Sequence, residues 1–206
     1  MKLIEETCLN FTNRLAAREP VPGGGGAAAL IGALAAALCS MAGNYSTDKK
    51  SAEGHEEELR AAIDKAEELR MRLLTLVDAD AEAFAPLARA YGIPKDAPGR
   101  AAVMEEALRT ACSVPMDIMR ACGEALDIIE EFAAKGSKIA ISDAGCGAIL
   151  CKAAMQAASL NIFINTKSMK DRACAAALEE EANALLAKYT ALGDAVFAAV
   201  TDRIRG

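Results

Sequence analysis

The sequence predicts an all-α helical bundle, with two buried apolar helices wrapped by long amphipathic ones. Three observations predict it. Apolar positions recur at helical spacing from end to end of the 206 residues. The 53% apolar fraction is carried largely by Ala, with only five Phe, three Tyr and no Trp. Small side chains at that density favour closely spaced helices over a sheet, which draws on Val, Ile, Thr and aromatics. The two β-compatible runs, "KIAIS" and "NIFIN", are short and flanked by helical text.

A first amphipathic helix is expected from about Leu3 to Ala17, stopping near Pro20. The second, from about Ala27 to Asn44, is apolar on every face and should be surrounded by the others. "STDKKS" follows as a polar turn. The stretch from "EGHEEEL" to "LARAYG" is a long helix with Glu/Lys and Glu/Arg spacings on its wet side, interrupted or bent near Pro86. After the loop "IPKDAPGR", a helix from about Ala101 reaches Lys135, with Pro115 marking a kink or a break and Gly136 closing it. A short connection leads to the second apolar helix, about Asp143 to Asn165, and a final amphipathic helix runs from about Asp171 to Arg203.

No linker divides the chain, so residues 1–206 are expected to form a single domain. A net charge of −6 argues against nucleic acid as a partner, because phosphate binding needs a basic face. Acidic residues in "MKLIEETCLNF" stand where a signal peptide would be apolar. The uncharged stretch from Val21 to Thr47 is rich in Ala and Gly, which contribute little to insertion, so a buried helix is expected there and no membrane partner. Seven cysteines without a CxxC pair read as free thiols of a cytoplasmic protein, mostly small core residues, with no metal site.

Four consecutive glycines precede the most apolar helix, in "EPVPGGGGAAALIGAL". The run lacks dinucleotide-fingerprint spacing, no Lys-Ser/Thr follows, and no strand precedes it, so both nucleotide-loop readings fail. Gly23, Gly24, Gly25 and Gly26 then form a Pro-bounded loop at a helix N-terminus, where free N–H groups favour an anion or a polarised carbonyl. Alternatively, the glycines let the backbone pass close to another helix.

In "GSKIAISDAGCGA", Ser142 and Asp143 stand where an N-cap is expected. Asp143 is also the only acid between Glu131 and Asp171, and such a carboxylate transfers protons if desolvation raises its pKa. Asn161 and Asn165, four residues apart in apolar text, either bond neighbouring helices or suit an amide-rich heterocycle such as a pterin. Asp143 and Asn161 would lie about 27 Å apart on one straight helix. His55, the only histidine, opens a charged helix and reads as a solvated surface residue. Lys49, Lys50, Lys152, Lys167, Lys170 and Arg172 are candidates for a local positive patch.

The segments "PVPGGGGAAALIGALAAAL", "MAGNYS", "AFAPLARAYGIPKD" and "AISDAGCGAILCKAAMQAASLNIFINTKSMKD" together resemble the cyclodeaminase/cyclohydrolase family. This is the family of the C-terminal domain of formiminotransferase-cyclodeaminase and of stand-alone methenyltetrahydrofolate cyclohydrolases. The resemblance implies an all-α homodimer that handles folate one-carbon units. Asp143, Asn161, Asn165 and Asp171 match the family pattern. Gly26 stands where members usually have Ser, and Gly136-Ser137 where Gly-Asn is frequent.

On that resemblance the glycine run is expected to hold folate, with Lys49 and Ser142 beside it and local lysines near a glutamate or polyglutamate tail. Asp143 is the candidate catalytic carboxylate, and no cofactor beyond the folate substrate is expected. The leading expectation is hydrolysis of 5,10-methenyltetrahydrofolate, because a chain of this length has no room for a formiminotransferase domain. The alternatives are the 5-formiminotetrahydrofolate cyclodeaminase reaction and a folate-binding bundle without catalysis.

Overall fold

The computed structural model describes residues 2–47 and 54–206, and all regular structure among them is helical, as expected. Lys49 and Lys50 lie outside the described residues.

The first expected helix divides in two. A 3-10 turn, Leu3–Glu5, is followed by α1, Cys8–Ala16. Thr7 has an extended backbone and its side chain accepts the Asn10 N–H at 3.1 Å, an N-cap that starts a new helix. The Leu3 N–H donates to the Asp78 carboxylate at 2.6 Å, tying the N-terminus to the long helix Glu56–Tyr91.

α2 spans Gly24–Thr47, three residues earlier than the sequence suggests. Gly24, Gly25 and Gly26 are not a loop before the helix but its first turn, and the carbonyl of Gly23, just ahead of it, accepts the Ala27 N–H at 3.0 Å. Nor is α2 enclosed on every side: Leu34 and Met41 are 53% and 40% exposed.

α3, Glu56–Tyr91, and α4, Arg100–Lys135, both continue through their prolines, Pro86 and Pro115. A proline removes one hydrogen bond from a helix interior. Here the two helices pack lengthwise on each other and on their neighbours, and that packing holds each in one piece. After Gly136, the 3-10 turn Lys138–Ala140 leads into α5, Ile141–Thr166, which absorbs "NIFIN". α6, Arg172–Arg205, is capped by the Asp171 side chain, which accepts the Cys174 N–H at 3.0 Å.

α2 packs mainly on α3 and α5, and α6 covers the outer side of α5. Gly24 lies beside Asn161, while Gly147 faces the Ala35 carbonyl and Leu38, so α2 and α5 run antiparallel. Close approach depends on small residues: a Cβ on Gly32 would stand 2.8 Å from Cys122 Sγ and 3.1 Å from Leu73. Cys39, Cys112, Cys122 and Cys151 are buried in this core, whereas Cys8 and Cys146 are exposed.

Candidate active site at the start of the central helix

The α3 residues that face the core are Ala66, Leu69, Leu73, Val77, Leu87 and Ala90. Between Val77 and Leu87 the same stripe passes through Asp80, where periodicity calls for another apolar side chain. Asp80 is partly buried against the first turn of α2. Burial pushes its carboxyl up from the ordinary carboxylate range, and the hydrogen bond donated by the Gly26 N–H pulls it down.

The glycines make this seat. A Cβ on Gly25 would collide with the Asp80 carboxylate, 2.6 Å from Oδ2 and closer still to Oδ1. A Cβ on Gly26 would lie 3.4 Å from the Val77 carbonyl and one on Gly23 meets only the Pro20 carbonyl, at 3.9 Å. The positive end of α2 is thus already served by a carboxylate of the protein itself. The glycine run does let another helix come close, and what approaches is an acid.

Asn161 completes the cluster from α5. A Cβ on Gly24 would stand 3.5 Å from its Nδ2 and 3.6 Å from its Oδ1, and the Nδ2 donates to the Ala157 carbonyl at 3.0 Å. Its Oδ1 remains as an acceptor beside the helix start. Asn165 does not join it: this buried amide hydrogen-bonds the Cys112 thiol on α4. Burial pushes that thiol up to about 11, against the pull of the Asn165 bond.

The other expected site residues are dispersed. Ser142 and Asp143 do not cap α5; Ala140 holds that position without a side-chain bond, and both residues lie in the first helical turn. α5 is one element from Ile141 to Thr166, so Asp143 and Asn161 lie about 27 Å apart along it and share no pocket within one chain. Ser142 borders a separate groove of about 460 Å³ between α5 and α6, with Cys146, Phe197, Val200 and Ile204. Asp171 is engaged as the α6 cap and pairs with Arg109 at 2.6 Å, and its carboxyl is held below the usual range, first by the Cys174 N–H.

Of the cations, Lys152 pairs with Asp194, and Arg172 donates to the Thr166 and Met169 carbonyls at 2.8 and 3.3 Å. Lys167 and Lys170 are exposed just past the Asn161 end of α5. His55 is solvated beside Glu58, as expected, on the rim of a cavity of about 350 Å³ at the opposite end of the bundle. No group of three or more His, Cys, Asp or Glu side chains suited to a metal occurs among the described residues.

Asp80 was not among the residues singled out from sequence. The signal was present: an acid occupying a core position of an otherwise regular apolar stripe, in "LTLVDADAEAFAPL".

An all-α bundle that sets a partly buried carboxylate and an amide against the glycine-built start of its central helix is a helical scaffold with a polar cluster at the end of its most apolar element. The chain belongs to the formiminotransferase-cyclodeaminase family, whose model matches residues 7–184. It is 39% identical over 203 residues to the methenyltetrahydrofolate cyclohydrolase of Methylorubrum extorquens, covering 97% of this chain and 98% of that one. It is 32% identical to the formimidoyltransferase-cyclodeaminase of Mus musculus over 82% of this chain, which spans about a third (32%) of that longer protein. The fold matches the crystal structure of formiminotetrahydrofolate cyclodeaminase from Thermotoga maritima with a TM-score of 0.82 and 30% identity, over 98% of this chain and 96% of that one.

Proposed function

We infer that this chain is a folate one-carbon enzyme that hydrolyses 5,10-methenyltetrahydrofolate to 10-formyltetrahydrofolate. The observation that carries this is the end-to-end 39% identity with a protein named for that activity. The bridging carbon of the substrate belongs to a cationic amidinium. Water adds to it to give a tetrahedral carbinolamine, which collapses to the N10-formyl product when the bond to N5 breaks. The catalytic need is a group that takes a proton from water and one that returns a proton to N5.

The fold match to a cyclodeaminase favours a second reading. In that reaction N10 attacks a 5-formimino carbon and ammonia leaves, so the same tetrahedral carbon is reached from another precursor. A single assay pair separates them. Enzyme-dependent loss of methenyltetrahydrofolate absorbance without ammonia release from 5-formiminotetrahydrofolate supports the cyclohydrolase; ammonia release with methenyl formation supports the cyclodeaminase. Folate binding with silence in both leaves a binding bundle.

We further propose that the enzyme needs no cofactor beyond its folate substrate, acts in the cytoplasm, binds neither nucleic acid nor membrane, and works as a homodimer. Among the described residues three helices are long and apolar enough to cross a membrane, yet 61% of the most apolar stretch of α2 is buried within the bundle. The exposed apolar side chains Leu34, Met41, Leu160 and Ile164 on α2 and α5 suit a second copy. Lys167 and Lys170, exposed near Asn161, suit the glutamate or polyglutamate tail. Lys49 remains a candidate for that tail by its sequence alone.

A further inference from the structure

We propose that Cys112 and Cys174 are a redox-active thiol pair, joined as a reversible intrachain disulfide when a hydroperoxide oxidises the protein. The register of α4 against α6 carries this. The two helices run parallel, with Arg109 bonded to Asp171 at 2.6 Å, Arg120 to Glu181 at 2.7 Å and Tyr189 to Asp127 at 2.8 Å. These partners are 62, 61 and 62 residues apart in sequence. Cys112 and Cys174 share the offset of 62 and follow Arg109 and Asp171 by three residues each, so they form the next rung of the same ladder. Ala111 and Ala175 beside them are buried and add little bulk between the helices, which suits a bond needing Cα atoms about 4.4–6.8 Å apart.

Their surroundings give the two thiols different roles. Cys174 is partly exposed in the first turn of α6, and its thiolate is the leading influence holding the Arg109 guanidinium above its ordinary range. A helix start and a neighbouring cation are settings that favour a reactive thiolate. Cys112 is fully buried, and burial pushes its thiol up to about 11. The charge of Cys174 adds to that rise, so each sulfur lies within the field of the other. Cys174 therefore meets the oxidant first, and Cys112 resolves the product.

The Cys174 thiolate attacks one peroxide oxygen, the O–O bond breaks, and sulfur is oxidised to the sulfenic acid while the second oxygen leaves with a proton. The Cys112 sulfur then attacks the Cys174 sulfur, the S–O bond breaks, and the hydroxyl leaves with the Cys112 proton as water. Two thiols and one hydrogen peroxide thus give one disulfide and two waters. In the reduced protein the Cys112 thiol donates to the Ile162 carbonyl at 3.9 Å and is bonded by Asn165. The disulfide removes that proton and turns the sulfur towards α6, leaving the buried Asn165 short of a partner at the end of α5 that carries Asn161. Brief oxidation of this kind is compatible with a reducing compartment. The cross-link needs no substrate and stands apart from the folate reading.

The test uses the full-length protein, reduced, freed of reductant, exposed to hydrogen peroxide, alkylated in denaturant and digested with trypsin without reduction. Cleavage leaves each thiol in a peptide with a single cysteine, residues 110–120 and 173–188. These two peptides should appear cross-linked in most of the protein, two hydrogens lighter than their sum, and should separate on adding dithiothreitol. Cys112→Ser should leave Cys174 as a sulfenic acid that dimedone traps, and Cys174→Ser should slow oxidation of Cys112 by about 10-fold or more. Circular dichroism checks that both variants fold, and the wild-type peptide map decides the matter where one does not. Cys112 and Cys174 both still free after Cys8 and Cys146 are oxidised, Cys174 passing to the sulfinic acid without a cross-link, or either thiol bonded to a different cysteine overturns the pair.

Discussion

The Asp80 carboxylate fills the space where a side chain on Gly25 would begin: a Cβ there would stand 2.5 Å from Asp80 Cγ. Gly25→Ala should therefore push the acid from its seat and cost about 1–3 kcal/mol by overpacking. Gly24→Ala is the contrast, because its Cβ meets Asn161 at an ordinary 3.5 Å. It should fold normally and gain up to about 1 kcal/mol from helix propensity. Urea denaturation of the two variants checks the difference.

Asp80 should cost stability when ionised. Burial raises its folded pKa above the unfolded value of 3.8, so the folded state holds the proton more tightly and folding loses stability as pH rises through that window. Asp80→Asn escapes the loss. Its melting temperature near neutral pH should equal or exceed that of the wild type, with the gain shrinking as pH falls to about 4. A variant that is less stable at neutral pH would contradict this.

At the α2–α4 crossing, Gly32 faces Cys122 Sγ at 2.8 Å from a would-be Cβ. Gly32→Ala should destabilise the fold by about 1–3 kcal/mol. Adding Cys122→Ala frees that space, so the double variant should be more stable than the two single effects summed. Denaturation midpoints of the four proteins in the cycle measure the coupling.

Thiol chemistry should follow depth. Cys8 and Cys146 are exposed and should react first with a thiol reagent on the native protein, with Cys174 slower. Cys39, whose thiol burial pushes up to about 12, should react with Cys112, Cys122 and Cys151 only on unfolding. Stopped-flow titration with and without denaturant counts the classes.

Periodicity alone placed the long helices, since an apolar stripe at helical spacing has only one compact use. Their interruptions were less legible. Pro86 and Pro115 read as bends or breaks, yet lateral packing of α3 and α4 outweighs one missing hydrogen bond each. The glycines read as a loop because each disfavours a helix, but space beside Asp80 matters more there than propensity.

The same holds for the site. The resemblance of "PVPGGGGAAALIGALAAAL" and its companion segments named a family and marked Gly24 and Asn161, which the fold brings together. The sequence by itself determined the helical class, the apolar stripes and the family, because these depend on residue order along one chain. Only the tertiary structure decided that Asp80 from α3 seats in the first turn of α2, that Asn165 turns to Cys112, and that Asp143 stands apart. Those pairings depend on which helix faces lie against each other, a relation between segments far apart in sequence that no local pattern encodes.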